Sequence, residues 1–171
     1  MADNLFAFMY WAMGNGEVAG EWPTPGGDLV TGGSPRYNVY RTSDGKFIAA
    51  APLEQKFWEN FCALIGLAPE FRSDERDPAA TRREVAAKIS AKTAGEWRAL
   101  FAGKDICCCV MASLEEALRD PYFSARGVFA AKLAADGKQI AALPVPVAPQ
   151  FRLPADSAGY PALGEANSLL K

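Results

Sequence analysis

An Asp-Gly pair between two short apolar segments most constrains how this 171-residue chain can fold. The segment RYNVYRT lies before Asp44-Gly45, and KFIAAAP follows it. This pair favours the tight turn of a β-hairpin, because Asp and Gly tolerate the left-handed backbone that the turn needs. The alternation predicts two faces for the first strand, with Tyr37, Val39 and Arg41 on one and Asn38, Tyr40 and Thr42 on the other.

The N-terminal segment ADNLFAFMYWAMGNG predicts a helix. Asp3 or Asn4 can cap its start, and we expect Gly14 and Gly16 to end it. The helix is apolar nearly all round, so it needs cover on several sides. A Pro- and Gly-rich loop follows it and leads into the hairpin.

Four further helices are predicted after the hairpin. The first runs from about Leu53 or Glu54 to Ile65 and ends at Gly66, with a core stripe of Phe57, Phe61, Leu64 and Ile65. The second starts with Asp77 as cap and Pro78 in the first turn. The other two start with capping boxes, in which a Ser or Thr and a Glu satisfy the helix backbone: Thr93 with Glu96, and Ser113 with Glu116. The core side of the Thr93 helix is predicted to hold Trp97, Leu100 and Phe101.

A second Asp-Gly pair, Asp136-Gly137, predicts another hairpin within VFAAKLAADGKQIAALPVPV. The segment ICCCVMA predicts a buried strand in a reducing compartment, where Cys acts as a small hydrophobe. From Ala148 onward the chain is rich in Pro and Gly and is predicted to be an extended arm. Hairpins with a cluster of short helices place the chain in the α+β class.

Charge and composition narrow the classes of partner. The net charge is −2 and the pI is about 5.3, which gives no basic surface for nucleic acid. The apolar segment from Leu5 to Met13 is too short to span a bilayer. It also lacks the basic start and cleavage site of a signal peptide. We therefore expect a cytoplasmic protein with no nucleic-acid partner and no membrane partner.

The chain contains no His. Ser-His and Cys-His nucleophile systems are therefore excluded within it, as are most catalytic zinc sites. The four Cys include no C-x-x-C pair, so we expect no metal site. Proton chemistry must use carboxylates, Lys, Tyr or Cys, or groups supplied from elsewhere.

Two segments are candidate sites, each with a structural alternative. Glu54 can be a helix-start carboxylate favoured by the helix dipole, or a carboxylate that orients a base at a strand-to-helix turn. The Gly-Gly-Ser-Pro segment at residues 32–35 can be a plain turn or a phosphate cradle. A P-loop would place its glycines before a helix, and these precede a strand.

The segment GGSPRYNVYRTSDGKFIAAAPLEQKFWENFCALIGL resembles the family III CoA-transferases, also called the CaiB/BaiF group. The resemblance continues through KTAGEWRALFAGKDICCCVMASLEEALRDPYFSARGVF and ends at LGEAN. It implies a longer protein in which a large Rossmann-like domain is interrupted by a small α+β domain, and in which two chains interlock as a homodimer. Residues 1–31 would be a linker helix and loop, 32–147 the small domain, and 148–171 a linker arm.

Among the branches of this family, the α-methylacyl-CoA racemases carry the pattern G-G-A-P, Y-R-T-x-D-G and A-I-E-P. This chain has, in the same order, Gly32-Gly33-Ser34-Pro35, then YRTSDG at residues 40–45, then Pro52-Leu53-Glu54-Gln55. Ser34 replaces the Ala of the pattern and Gln55 replaces its last Pro. The resemblance implies that Glu54 is catalytic, as the carboxylate that supports a His outside this chain. It also implies that Gly32, Gly33, Pro35 and Tyr37 shape the loop that binds the acyl-CoA substrate.

The resemblance implies an acyl-CoA enzyme that racemises the α-carbon of 2-methylacyl-CoA thioesters. Coenzyme A would enter as part of the substrate, with no separate cofactor. Two alternatives stay open: transfer of CoA to a carboxylate through an anhydride on an Asp outside this chain, and a non-catalytic binding module. Since the bases and the nucleophile of the family lie in the large domain, we expect the 171-residue chain alone to be inactive.

Overall fold

The computed structural model of the chain describes residues 2–143, 147–151, 158–159 and 161–169. The chain divides into two units, Met1–Met111 and Ala112–Lys171. Helices and two small sheets make the fold α+β, as predicted. The division between the units lies inside the predicted domain 32–147, whose limits stay a prediction.

The first unit contains a three-stranded antiparallel sheet built on the predicted hairpin. Its strands are β1 (Asn38–Arg41), β2 (Phe47–Ala50) and β3 (Cys108–Val110), in that order across the sheet. Gly45 has a φ of +79°, which the turn requires and which a glycine adopts without strain. The two predicted faces of β1 are confirmed, because Tyr40 and Thr42 are buried while Val39 is exposed.

Three helices cover the buried face of this sheet: α3 (Gln55–Ile65), α4 (Pro78–Ser90) and α5 (Ala94–Phe101). The predicted caps are confirmed, with Asp77 accepting a hydrogen bond from Ala80 and with Thr93 and Glu96 forming a capping box. Trp58, Phe61, Val85 and Ile89 are each fully buried in the shared core.

Two predicted core stripes are partly wrong. In α3 the buried residues are Trp58, Phe61, Cys62 and Ile65, whereas the predicted Phe57 and Leu64 are only half-buried. In α5, Trp97 and Phe101 are buried as predicted, but Leu100 is 39% exposed and Ala94 takes its place. The predicted stripe of α3 omitted Trp58 and Cys62, which lie on the same side of the helix as Phe61 and Ile65 and turn the buried face away from Phe57 and Leu64.

The N-terminal segment forms α1 (Ala2–Phe8) and α2 (Tyr10–Ala19). The prediction that Gly14 and Gly16 end the helix is wrong, because α2 continues to Gly20, which adopts a φ of +75°. A side chain at Gly16 would lie 2.5 Å from the Trp22 ring, so the absence of a Cβ lets this ring pack against α2. A glycine inside a helix weakens it without ending it.

The predicted buried strand ICCCVMA is β3, an edge strand, and its burial is lower than predicted. Cys108 is half-buried, while Cys107 and Cys109 are exposed. Alternation explains the difference, since an edge strand with one face on the core turns every second side chain outward.

The second unit contains α6 (Leu114–Leu118), α7 (Pro121–Ala125) and a small sheet of β4 (Lys132–Ala135), β5 (Lys138–Ala141) and β6 (Ala158–Gly159). The Ser113 and Glu116 capping box is confirmed at the start of α6. The hairpin at Asp136-Gly137 is confirmed, with both residues at positive φ.

The predicted C-terminal arm is described only in part. Its segment β6 pairs in parallel with β4, which adds a strand that the sequence did not predict. Residues 144–146 of the predicted second hairpin, and residues 152–157, 160 and 170–171 of the predicted arm, lie outside the described residues.

Candidate functional site

The loop that contains Gly32 and Gly33 closes a short helical turn, Leu29–Gly33. Asp28 starts this turn by accepting a hydrogen bond from the Leu29 N–H. Gly32 has a φ of +109°, which disfavours any residue with a Cβ. A Cβ on Gly33 would lie 2.1 Å from the carbonyl oxygen of Gly27, closer than two atoms can approach. Both glycines are therefore required by the conformation of the loop itself.

Side chains from β1 and α4 hold the carbonyl groups of this loop. The Gly32 carbonyl accepts hydrogen bonds from Arg82 Nη1 at 2.6 Å and from Asn38 Nδ2 at 2.9 Å. The Pro35 carbonyl accepts a hydrogen bond from the Tyr40 hydroxyl at 2.7 Å. Burial raises the pKa of the Tyr40 phenol far above its usual value, so the hydroxyl keeps its proton and remains a donor. These contacts fix the loop on the edge of the sheet.

Arg36 connects the end of this loop to the segment between β2 and α3. Its Nε and Nη2 donate to the Asp74 carboxylate at 3.0 and 2.7 Å, and its Nη1 donates to the Leu53 carbonyl at 3.2 Å. The guanidinium lies 5.1 Å from the centre of the Trp58 ring. Asp74 is 7% exposed, so this ion pair is largely shielded from water.

Glu54 is the residue that immediately precedes α3. Its backbone carbonyl accepts the first hydrogen bond of the helix, from the Trp58 N–H at 3.0 Å. Its carboxylate accepts no capping hydrogen bond from the helix and is exposed. The backbone therefore starts the helix, and the side chain remains available to another group.

Four of the five predicted site residues divide between two open depressions, and Glu54 lines neither of these two. One, of about 580 Å³, brings Gly33 and Pro35 together with Leu53 and Gln55, the residues on either side of Glu54. The other, of about 460 Å³, contains Gly32 and Tyr37 beside β2. The structure thus places the loop next to the segment that carries Glu54. The roles assigned to these five residues stay predictions.

Four polar residues that organise this region were missed by the sequence analysis: Arg36, Asn38, Asp74 and Arg82. Arg36 and Arg82 resemble ordinary surface charges in a single sequence. Asp74 lies 38 positions after Arg36, and no local pattern connects residues so far apart. Only the fold shows that they form contacts.

Two further properties apply to the described part of the chain alone. No group of three or more metal-ligating side chains occurs there. No helix in that part is long and apolar enough to cross a membrane.

Comparison with known proteins identifies related sequences. The profile of CoA-transferase family III matches residues 1–167. The α-methylacyl-CoA racemase of Homo sapiens is 30% identical over 112 residues, which are 63% of this chain and 29% of that protein. The α-methylacyl-CoA racemase of Mus musculus is 30% identical over 125 residues, which are 71% of this chain and 32% of that protein. A CaiB/baiF CoA-transferase family protein of Caenorhabditis elegans is 31% identical over 91 residues, 51% of this chain and 24% of that protein.

Solved structures show the same fold. The crystal structure of Rv3272 from Mycobacterium tuberculosis matches with a TM-score of 0.56 and 22% identity, covering 79% of this chain and 40% of that one. A mutant of Rv3272 matches with a TM-score of 0.57 and 20% identity, covering 82% and 41%. The chain thus spans about three tenths of the length of the two racemases and about two fifths of Rv3272.

Proposed function

Because the chain belongs to CoA-transferase family III, we propose that it is part of an enzyme that racemises the α-carbon of 2-methylacyl-CoA thioesters. The observation that carries this proposal is the position of Glu54. Its carboxylate is exposed and does not serve the helix that it precedes, and its neighbours Leu53 and Gln55 line one depression together with Gly33 and Pro35. Its place in the Pro-Leu-Glu segment corresponds to that of the Glu in the racemase pattern.

Racemisation requires removal of the weakly acidic proton next to the thioester carbonyl. A base takes this proton, and the electron pair of the broken C–H bond is delocalised onto the carbonyl oxygen. An acid on the opposite face then donates a proton to the α-carbon, which forms a new C–H bond and inverts the configuration of that carbon. The substrate supplies coenzyme A, and the proposed reaction uses no separate cofactor.

In this mechanism Glu54 accepts a hydrogen bond from the imidazole of a His outside this chain. A carboxylate in that position fixes the tautomer of the ring and stabilises its protonated form, which raises its basicity. The loop that contains Gly32, Gly33, Pro35 and Tyr37 would face the acyl-CoA. The proposed active form is a cytoplasmic homodimer.

A second candidate is transfer of CoA between an acyl-CoA and a carboxylate, through an anhydride on an Asp outside this chain. The family description and the name of the C. elegans relative favour it. Transfer needs a free carboxylate acceptor, whereas racemisation needs none. Whether the reaction depends on an added carboxylate acceptor therefore distinguishes CoA transfer from racemisation.

The test uses protein purified through a chromosomal affinity tag, which retains every segment that the gene encodes. A single enantiomer of a 2-methylacyl-CoA is incubated in D₂O without an acceptor. We expect deuterium at the α-carbon and loss of optical purity. Glu54→Gln should lower this rate roughly 10²-fold, within the range of proton-transfer catalysis. Glu59→Gln, one turn further along the exposed side of α3, is the matched control and should retain the wild-type rate.

Three results would reject the proposal. The first is CoA transfer that depends on an added carboxylate, with no deuterium at the α-carbon. The second is a Glu54→Gln variant that racemises at the wild-type rate. The third is full racemase activity in the 171-residue chain alone, because every base would then lie within a chain that contains no His.

A further inference from the structure

We propose that Arg36 and Asp74 act as a positioning pair, which fixes the backbone just before Glu54 against the Gly32–Pro35 loop. This inference rests on the proposed function, since it concerns the same site. Neither residue touches the reacting atoms in this proposal. They act by holding the backbone of Leu53, which sets the orientation of the Glu54 side chain relative to the backbone.

The geometry of Arg36 leaves its guanidinium little freedom. Both carboxylate oxygens of Asp74 lie 3.0 Å from Nε, and Oδ1 also lies 2.7 Å from Nη2. One face of the guanidinium lies over the Trp58 ring. The side chains of Arg36 and Asp74 are only 15% and 9% exposed. A bidentate pair in such surroundings has a defined geometry that a Lys at position 36 cannot reproduce.

The segment that Arg36 holds has few other supports. Residues 51–54 lie between β2 and α3 in neither a strand nor a helix. Besides the bond from Arg36 to the Leu53 carbonyl and the first helix bond, from the Trp58 N–H to the Glu54 carbonyl, two backbone hydrogen bonds hold this segment. One joins the Leu53 N–H to the Ala51 carbonyl at 2.8 Å, and the other joins the Ala51 N–H to the Cys107 carbonyl at 3.0 Å. The Arg36 contact differs from these backbone bonds in that a side chain from the glycine-containing loop region makes it, on the residue just before Glu54.

The other end of the pair is fixed to the glycine-containing loop. Arg36 directly follows Pro35, and its backbone N–H donates to the Ser34 hydroxyl at 3.0 Å. One residue therefore joins the loop proposed to face the acyl-CoA to the segment that carries Glu54. A small displacement of a catalytic group can reduce a rate about 10²-fold, so such a connection matters for the reaction.

The experiment compares Arg36→Gln, Arg36→Lys and Asp74→Asn with the wild type, in the same chromosomally tagged protein. Hydrogen exchange followed by mass spectrometry reports on the amides of Leu53 to Trp58. Amides of Val85 to Ile89, inside α4, report on the fold as a whole. Arg83→Gln is the matched control, because Arg83 is exposed on the same unit.

We expect all three variants to exchange the Leu53 to Trp58 amides at least tenfold faster, while the α4 amides remain protected. The kcat of racemisation should then fall about 10- to 100-fold, as is typical when a supporting contact is removed. The KM should change less than about threefold. Unchanged exchange at Leu53 to Trp58 would overturn the inference. Equal acceleration in α4 would also overturn it, because the pair would then support the whole fold.

The two proposals fail in different measurements. If Glu54→Gln racemises at the wild-type rate, the proposed function fails. The positioning pair is judged separately, by the exchange of Leu53 to Trp58 in the Arg36 and Asp74 variants. Local acceleration there supports the pair, and its absence refutes the pair.

Discussion

The carboxylate of Asp44, at the tip of the first hairpin, accepts a hydrogen bond at 3.1 Å from the backbone N–H of Ala94, fifty residues further along the chain. Ala94 is the first residue of α5, where backbone N–H groups have no partner within the helix. The Ser43 N–H also donates to the Lys92 carbonyl at 2.9 Å. The residue that predicts the turn therefore also attaches the hairpin to a helix.

This contact predicts a pH dependence of stability. Hydrogen bonds from the Thr42 hydroxyl and the Ala94 N–H hold the pKa of Asp44 below its usual value. A carboxyl group whose pKa is lowered by folding stabilises the folded state above its unfolded pKa of about 3.9, and loses that contribution as the pH falls through the lower folded pKa. Asp44→Asn should lower the urea midpoint near neutral pH, and the deficit should shrink at lower pH.

The control for this measurement is Asp136→Asn, at the tip of the second hairpin. Asn tolerates the positive φ of 48° found there, so the turn is retained. The urea midpoint of Asp44→Asn is subtracted from that of the wild type at pH 7 and at about pH 3, which is below the usual Asp pKa. A difference in urea midpoint that stays constant or grows as the pH falls would contradict a stabilising role of the ionised Asp44 carboxylate.

Local signals predicted the elements of this fold well. The Asp-Gly turns, the cap at Asp77 and the two capping boxes depend on residues within four positions of one another. Each satisfies backbone groups at a defined place, so each is visible in sequence. Gly14 and Gly16 gave the wrong helix end, because a glycine lowers helix stability by about 1 kcal/mol and tertiary contacts can outweigh that cost.

The site was less accessible to prediction. The resemblance selected Glu54 and the loop, and the fold places that loop beside the neighbours of Glu54. It did not select Arg36 or Asp74, whose contact depends on how two distant loops meet. Two charged residues so far apart leave no repeating pattern in the sequence, so their pairing can be recognised only in the folded structure.

The buried face of the first hairpin gives a prediction for stability. Ile48 is fully buried at the centre of the sheet, opposite Tyr40 and Val110. Ile48→Ala should lower the free energy of unfolding by about 2–5 kcal/mol, through lost burial and the cavity that remains. Val39→Ala, on the exposed face, should cost less than about 1 kcal/mol. Urea unfolding followed by Trp fluorescence measures both, and equal costs would contradict the assigned faces.

The four thiols should differ in reactivity. Burial raises the pKa of Cys62 and of Cys108 to about 12, whereas Cys107 and Cys109 are exposed. The thiolate is the reactive form, and at pH 8 a thiol with that pKa is ionised in about one molecule in 10⁴. Iodoacetamide should therefore modify Cys107 and Cys109 first, as resolved by fragmentation mass spectrometry.

Denatured protein is the control for the thiol experiment, since all four groups should then react at similar rates. The Cys108 thiol also donates to the Ile106 carbonyl at 3.2 Å, which adds to its protection. Rapid modification of Cys62 in the native protein would show that α3 does not pack as described.

The loop glycines give the last prediction. Gly33→Ala would place a Cβ 2.1 Å from the Gly27 carbonyl oxygen, which is a backbone atom, so the loop must move. We expect a loss of about 1–3 kcal/mol in unfolding free energy, as for other overpacked positions. Faster hydrogen exchange should accompany it at Leu29–Gly33. Gly14→Ala is the control, because a Cβ there meets no atom within 4 Å and should stabilise α2 by about 0.5–1 kcal/mol. Opposite signs for these two Gly-to-Ala changes would show that close approach of the backbone, and not glycine flexibility, fixes the loop at Gly33. A Gly33→Ala variant as stable as the wild type would reject that account.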